Sequence, residues 1–185
     1  MVKARLAAAL LALVLALTSS MNARPALAAS AAEINKEANA VIAKLYEKHP
    51  EAKKMAAQAK AILIFPSIKK AGFMVGAQYG EGVLRKGNKN VGYYNTVAAS
   101  YGWQAGVQAF GYALFFMNEG ALSYLDKSGG FEVGVGPSIV VMDEGAGKST
   151  TSSTVTQDIY AFIFDQKGLM AGAGLQGSKI SKIAK

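Results

Sequence analysis

Three sets of residues in this chain have types and spacings that could do chemistry. The first is Gly145-Ala146-Gly147-Lys148-Ser149-Thr150, which looks like a loop that cradles nucleotide phosphates with backbone N–H groups and a lysine. That signature also needs a glycine five positions before the Gly-Lys pair, and position 142 is Met. The residues that follow are rich in Ser, Thr and Val and do not open a helix. The segment therefore reads as a polar surface loop, and no nucleotide is expected. The second set would serve acid–base or nucleophilic chemistry, and it is sparse. His49 is the single histidine, placed before Pro50 at a helix end, where it caps the helix or faces solvent. No Gly-x-Ser-x-Gly elbow occurs, and Asp143-Glu144 is an isolated acidic pair in the polar loop. There is no cysteine and no cluster of His, Asp and Glu. The sequence thus calls for no thiol chemistry, no metal, no cofactor and no enzyme.

The third set is cationic. Lys53, Lys54 and Lys60 lie on the second of two helical pieces, Lys69 and Lys70 follow Pro66, and Arg85 and Lys86 crowd a hairpin together with Lys89. Lys179, Lys182 and Lys185 end the chain as a basic tail over 179–185. Near an anionic membrane each such residue contributes about 1 kcal/mol. Any single cluster also fits an ordinary solvated surface. The chain carries 20 Lys and Arg against 12 Asp and Glu, a net charge of +8, which falls to +5 without Lys3, Arg5 and Arg24. That excess favours anionic surfaces but does not by itself argue for nucleic acid.

Those three basic residues belong to a segment with the layout of a secretory signal peptide. Lys3 and Arg5 precede the apolar run Leu6 to Leu17, and Ala26-Leu27-Ala28 is a small-x-small cleavage site. The run is short for a membrane-spanning helix, which needs about 20 residues. Residues 1–28 are expected to be removed, leaving one domain over 29–185 outside the cytoplasm. A chain of that length needs no disulfide or metal staple to bury a core.

The elements that must position the cations follow from periodicity. Ser30 to Lys60 reads as helix, with Glu33 in its first turn and Ile34, Ala38, Val41, Ile42 and Leu45 on one face. His49-Pro50 interrupts it. From Ile62 the period becomes that of strands. Ile62 to Phe65 is a short strand ended by Pro66, and Gly72 to Leu84 is a second. Lys86 to Asn90 turns the chain into Val91 to Val97. Tyr101 to Met117 is a long apolar and aromatic run, and Asn118 to Leu125 a short helix. Strands are then expected over Phe131–Val141, Thr154–Phe164 and Leu169–Leu175, with a turn at Asp165–Gly168. Tyr101 and Trp103 share a strand face and would anchor a membrane interface only if that face is exposed. Burial in a core is the default for such aromatics.

One strand is unusual. Gly72, Gly76, Gly80 and Gly82 alternate on one face, opposite Phe73, Val75, Tyr79 and Val83, and Gly168 to Ala173 echoes the pattern. Glycine inside a strand implies a sharp bend or a close approach by another backbone. Here the N-terminal helix is the expected neighbour. Strands without alternating helices argue for an α+β fold: a curved antiparallel sheet or small barrel of six to seven strands, with N-terminal helices packed on it.

Several short motifs occur in the order they take in a known family. Ala61-Ile62 through Pro66, Lys70-Ala71-Gly72-Phe73, Val75-Gly76, Tyr79-Gly80 and Gly82-Val83-Leu84 resemble the opening of the SYLF domain. Ser100-Tyr101-Gly102-Trp103-Gln104-Ala105-Gly106-Val107-Gln108 resembles its central segment, and Gly134 with Gly136-Pro137 its next strand. Ile159-Tyr160, Gly168-Leu169-Met170-Ala171-Gly172 and Leu175-Gln176-Gly177 resemble its closing signature. The likeness runs over residues 33 to 180. It implies lipid binding: eukaryotic members bind phosphoinositides and acidic phospholipids, and some bind actin and act in endocytosis. For an exported chain with no partner-recruiting module, the part that carries over is acidic-lipid binding.

The expectation is therefore a non-catalytic, exported domain, periplasmic or secreted, that binds an anionic phospholipid surface through Lys53, Lys54, Lys60, Lys69, Lys70, Arg85 and Lys86. The helix bearing Ile34, Val41 and Leu45 either packs on the sheet or inserts. The rivals are a small outer-membrane barrel, and an envelope interaction protein without a lipid ligand.

Overall fold

The computed structural model of the chain describes residues 28–127, 130–142, 157–167 and 177–185. The leader, the Asp143-Glu144 pair, the Gly145–Thr150 segment and the strand expected over 169–175 lie outside these residues, as do the side chains of Tyr101 and Trp103.

Helix α1 (Ala31–Lys48) starts where its sequence says it should. The Ser30 hydroxyl accepts from the Glu33 N–H at 3.2 Å, and the Glu33 carboxylate accepts from the Ser30 N–H at 2.7 Å. Two N–H groups without helical partners are satisfied reciprocally in this way. Helix α2 (Pro50–Gln58) follows at once, with proline in its first turn, where the missing N–H removes nothing. His49 closes α1 through its N–H to the Leu45 carbonyl at 2.8 Å. Its ring is not a surface group: the side chain is only 16% exposed and packs on Phe162 with ring centroids 6.3 Å apart.

Strands β1 (Ala61–Lys86) and β2 (Lys89–Phe116) form one long antiparallel hairpin, turning at Gly87-Asn88 where Gly87 has φ +57°. Pro66 does not end a strand, as the sequence suggested. The register slips between Phe65 and Ile68, and the bulge accommodates the missing N–H. A second slip falls between Gly72 and Met74, opposite Gly106 and Gly102.

The glycine face meets a different neighbour from the one expected. A Cβ on Gly80 would stand 2.6 Å from Ile68 Cγ1 and 2.9 Å from the Ser67 carbonyl. One on Gly82 would collide with the Ile64 carbonyl and the Phe65 ring. The close-packed backbone is thus the beginning of β1 itself, and the hairpin ribbon is folded over on itself. Thr96 and Tyr112, both in β2, meet inside the fold, where the Tyr112 hydroxyl donates to Thr96 Oγ1 at 3.0 Å. Both side chains are fully buried, and burial pushes the Tyr112 hydroxyl pKa up.

After β2 come helix α3 (Glu119–Ser123), a 3-10 turn (Tyr124–Asp126), β3 (Phe131–Glu132), β4 (Ile139–Met142), β5 (Ile159–Lys167) and β6 (Lys179–Ile183). The strand expected over 131–141 is split by a turn in which Gly134 and Gly136 take φ of +99° and +101°. The six strands among the described residues form a strongly curled half-barrel, with β3-β6-β2-β5-β4 in order and β1 along β2. All pairs are antiparallel except β4 with β5. Together with the helices this is an α+β fold. The lysine-rich tail is not a tail: β6 lies between β2 and β3, and Ile180 is completely buried.

Side-chain alternation divides the core in two. Leu63, Phe65, Tyr112, Leu114, Phe116, Ala161 and Ile163 point inward, where Leu122, Leu125 and Phe131 close the cavity of the half-barrel. Ile64, Ala113, Phe115, Phe162 and Phe164 point outward, against Ile34, Ala38, Ile42 and Leu45 of α1. The apolar face of α1 is therefore packed on the sheet. Arg85 pins the helix to the hairpin, donating to Asn39 Oδ1 at 2.7 Å and to Asn90 Oδ1 at 3.0 Å. Across the sheet, Asp158 ties β5 to its neighbours: it accepts from the Ser138 N–H and hydroxyl at 2.9 Å each and from Asn118 Nδ2 at 2.8 Å.

Three outcomes follow from this packing. Gly82→Ala puts a methyl against a backbone carbonyl that cannot rotate away, and should lower stability by about 1–3 kcal/mol in urea unfolding. Arg85→Ala should cost about 1–2 kcal/mol by the same measurement, because two charge-assisted bonds to Asn39 and Asn90 go, whereas Lys86→Ala should stay within about 0.5 kcal/mol. The bonds from the Ser138 N–H, then Asn118 and the Ser138 hydroxyl, hold the Asp158 carboxyl below its ordinary range. Its stabilising contribution is thus complete above the unfolded value of about 3.9 and is lost as pH falls through the lower folded value. Asp158→Asn should flatten that acid limb in a plot of Tm against pH.

Candidate functional site

The seven cations singled out in the sequence are spread over three places. Lys53 and Lys54 are exposed on α2, and Lys60 is exposed just before β1. Lys69 is exposed and Lys70 half-buried in the first half of β1, opposite Ala109 and Gln108. Arg85 and Lys86 sit at the hairpin end, with Lys86 exposed and opposite Lys89. Arg85 is half-buried and committed to Asn39 and Asn90, and burial lowers its pKa. It is a structural tie as well as a charge. The remaining six make no ion pair among the described residues.

The structure gathers a different set. An open cleft of about 550 Å³ lies between the 3-10 turn and β6, lined by Leu125, Asp126, Lys127, Gly130, Lys179, Ser181 and Lys182. None of the seven sequence-selected cations lines it. Its construction follows from the chain. Asn118 caps α3, its Oδ1 accepting from the Ala121 N–H at 2.8 Å, which starts the short helix that delivers Lys127. The Lys127 ammonium lies 3.2 Å from the centroid of the Tyr124 ring. That ring is braced edge-on by Phe131, with centroids 6.2 Å apart.

Gly130, at φ +87°, brings the chain onto β6 so closely that a Cβ would stand 2.6 Å from the Ile180 carbonyl and 2.7 Å from Ser181 Oγ. Strand β3 pairs with β6 only at Phe131 and Glu132, opposite Ile180 and Lys179. Beyond that pair the edge of β6 is open on the cleft side among the described residues.

Three ammonium groups and a hydroxyl therefore border one concave surface that contains a single carboxylate. That carboxylate does not neutralise them: Lys182 Nζ is 3.9 Å from Asp126 Oδ1, and both side chains are well exposed, at 62% and 69%. An exposed pair of this kind is worth about 0–1 kcal/mol and yields readily to a stronger anion. Chemically the cleft suits an oxyanion such as a phosphate group. Sequence reasoning named Lys179 and Lys182 but placed them on a tail, and it passed over Lys127. The available signal was Ile180 and Ile183, two apolar residues among the lysines.

A second crevice, between α1 and the end of β5, is lined by Val41, Lys44, Leu45, Lys48, His49, Phe164 and Asp165. Its polar groups are already engaged, with Lys44 bonded to Asp165 and His49 Nδ1 3.0 Å from Glu51 Oε1. Among the described residues no group of His, Cys, Asp and Glu could hold a metal ion, and no helix is long and apolar enough to cross a membrane.

Comparison with known proteins adds one finding. Residues 97–184 match the Ysc84 family, described as "Las17-binding protein actin regulator". No curated protein matches the chain. The matched stretch holds most of β2, all of α3 and β3 to β6, and every residue that lines the cleft. Over residues 97–184 the chain is thus similar to the SYLF (Ysc84) domain family, a family associated with lipid and actin binding in eukaryotes.

Proposed function

We propose that this protein is a non-catalytic, exported domain that binds the surface of membranes rich in acidic phospholipids. The observation that carries the reading is the cleft of Lys127, Lys179 and Lys182 within the family-matched stretch, with headgroup phosphates as its ligand. Lys53, Lys54, Lys60, Lys69, Lys70 and Lys86 add long-range attraction to the same anionic surface. Their number matters more than their placement, since each contributes about 1 kcal/mol when close to the bilayer. Insertion of α1 is not part of the proposal, because Ile34, Ala38, Ile42 and Leu45 are spent against the sheet.

The outer-membrane barrel alternative needs a closed sheet with an apolar surface facing lipid. Among the described residues the sheet is open, with β3 and β4 at its edges, and α1 covers its outer face.

Co-sedimentation with vesicles tests the proposal. The protein should pellet with vesicles of mixed phosphatidylglycerol and phosphatidylcholine, and not with phosphatidylcholine alone. Pelleting should decline as salt shortens the screening length from about 10 Å at 0.1 M to about 3 Å at 1 M. The double reversal K179E/K182E should weaken binding at least about tenfold. Equal pelleting with and without the anionic lipid would sink the reading.

A further inference from the structure

Glu81 lies in the second half of β1 with its side chain only 8% exposed, and Lys185, 9% exposed, donates to its Oε2 at 2.9 Å. The same ammonium donates to the Ala29 carbonyl at 2.7 Å. The Tyr79 hydroxyl donates to Glu81 Oε1 at 2.7 Å, and the Ala29 backbone N–H bonds to the same carboxylate. Burial opposes ionisation of Glu81, but the bonds from Lys185 and Tyr79 and the Lys185 charge outweigh it and hold the carboxyl below its ordinary range. Burial, and then the bond to Glu81, push the Tyr79 hydroxyl up to about 12.

Directly across on β2, Asn95 stands opposite Glu81 in register, and its Oδ1 is buried with no hydrogen-bond donor among the described residues. A buried acceptor left in this state costs about 1–3 kcal/mol. The charged acceptor of Glu81 thus sits where the main chain of Ala29 enters the fold, and the unpaired one of Asn95 lies on the neighbouring strand at the same register. Ala28 is exposed, Ala29 is half-buried, and Ser30 already caps α1. The residue before the Ala28–Ala29 bond is thus exposed, and the residue after it is fixed.

The sequence places a cleavage site at the same bond, after Ala26-Leu27-Ala28. We propose that Glu81, with Tyr79 and Asn95, forms a binding site for the α-ammonium group of Ala29, created when the Ala28–Ala29 bond is hydrolysed. A processing peptidase adds water across that amide. The C–N bond breaks, the hydroxyl goes to the Ala28 carboxyl, and the proton goes to the Ala29 nitrogen, which takes up a second proton at neutral pH. One amide N–H becomes three N–H donors with a full positive charge, facing a carboxylate, with the unpaired amide oxygen of Asn95 on the neighbouring strand. Lys185 holds the Ala29 carbonyl so that the new ammonium stays in place. Removal of the leader is then a step that completes the fold as well as one that releases the chain. The inference rests on the export reading above.

The full chain, produced for export in a Gram-negative host, tests it in two stages. Sequencing the N-terminus of the product should give Ala29 as the first residue. The product is then acetylated at its α-amino group in urea near neutral pH, where that amine, with a pKa of about 7.7–8.0, reacts ahead of lysine at about 10.4, and refolded. Acetylation should lower the Tm of the wild-type product by about 2–4 °C and leave that of Glu81→Gln where it was. An equal change in both, or none in the wild type, overturns the proposal. Should Glu81→Gln fail to fold, the wild-type α-amino group still decides. Facing Glu81, it should titrate above about 8 in the folded product, and an ordinary value overturns the site. A product that starts at another residue also overturns it, while one that keeps the whole leader defeats the export reading itself.

Discussion

The contact on which the rest of this structure depends is between two stretches of the same strand. Gly80 and Gly82 lie against Ile64 to Ile68 at a separation that leaves no room for a Cβ. The obstructing atoms include the carbonyls of Ile64 and Ser67, and backbone cannot swing aside as a flexible side chain could. Because the ribbon folds over here, β2 can receive β6 along Tyr93 to Val97 and β5 along Ala109 to Phe116. The inner core lies within the curl, and Thr96 comes to the Tyr112 hydroxyl within it. Without the bare face at Gly80 and Gly82 the hairpin would be a flat ribbon with no interior.

The curl also decides what the helices can do. Strands whose two faces are both apolar need cover on both sides. The inner face is closed by α3 and β3, and the outer face takes α1. Ile34, Ile42 and Leu45 each contribute about 1.5–3 kcal/mol by staying there. Their sum is comparable with the whole stability of a domain of this size, about 5–15 kcal/mol. A membrane that drew α1 off the sheet would have to replace that burial and would also leave Phe115, Phe162 and Phe164 uncovered. The lower-energy way for such a domain to meet a bilayer is with its fold intact, through charge.

What could be read from the sequence was local, and what could not was a contact between distant residues. The start of α1 was legible because its capping partners, Ser30 and Glu33, are three residues apart. The glycine face was legible as a close approach, since its two-residue alternation needs one. Its partner was not, because Ile64 and Ser67 come near only after the ribbon folds. Pro66 looked like a strand end because sequence does not display a bulge. Residues 179–183 looked like a tail because three lysines at the chain end outweighed Ile180, whose burial depends on β2 and β3 coming to either side of it. The lysines of the cleft were undervalued for the same reason.

The cations of this protein thus fall into two classes that composition alone does not separate. Arg85 is fixed in place by Asn39 and Asn90 and ties α1 to β1, while Lys185 is paired with Glu81 and ties the Ala29 carbonyl to β1. Lys127, Lys179 and Lys182, with the exposed lysines of α2 and β1, keep their charges available. Charge engaged by a buried partner contributes to the fold and little to the outer field, whereas charge held out over an open cleft does the reverse. Strand β6 carries both kinds, since it lines the cleft with Lys179 and Lys182 and leads directly into Lys185. A disordered tail could scatter the same charges, but it could neither focus three of them on one concave surface nor bring the chain's last residue to Glu81.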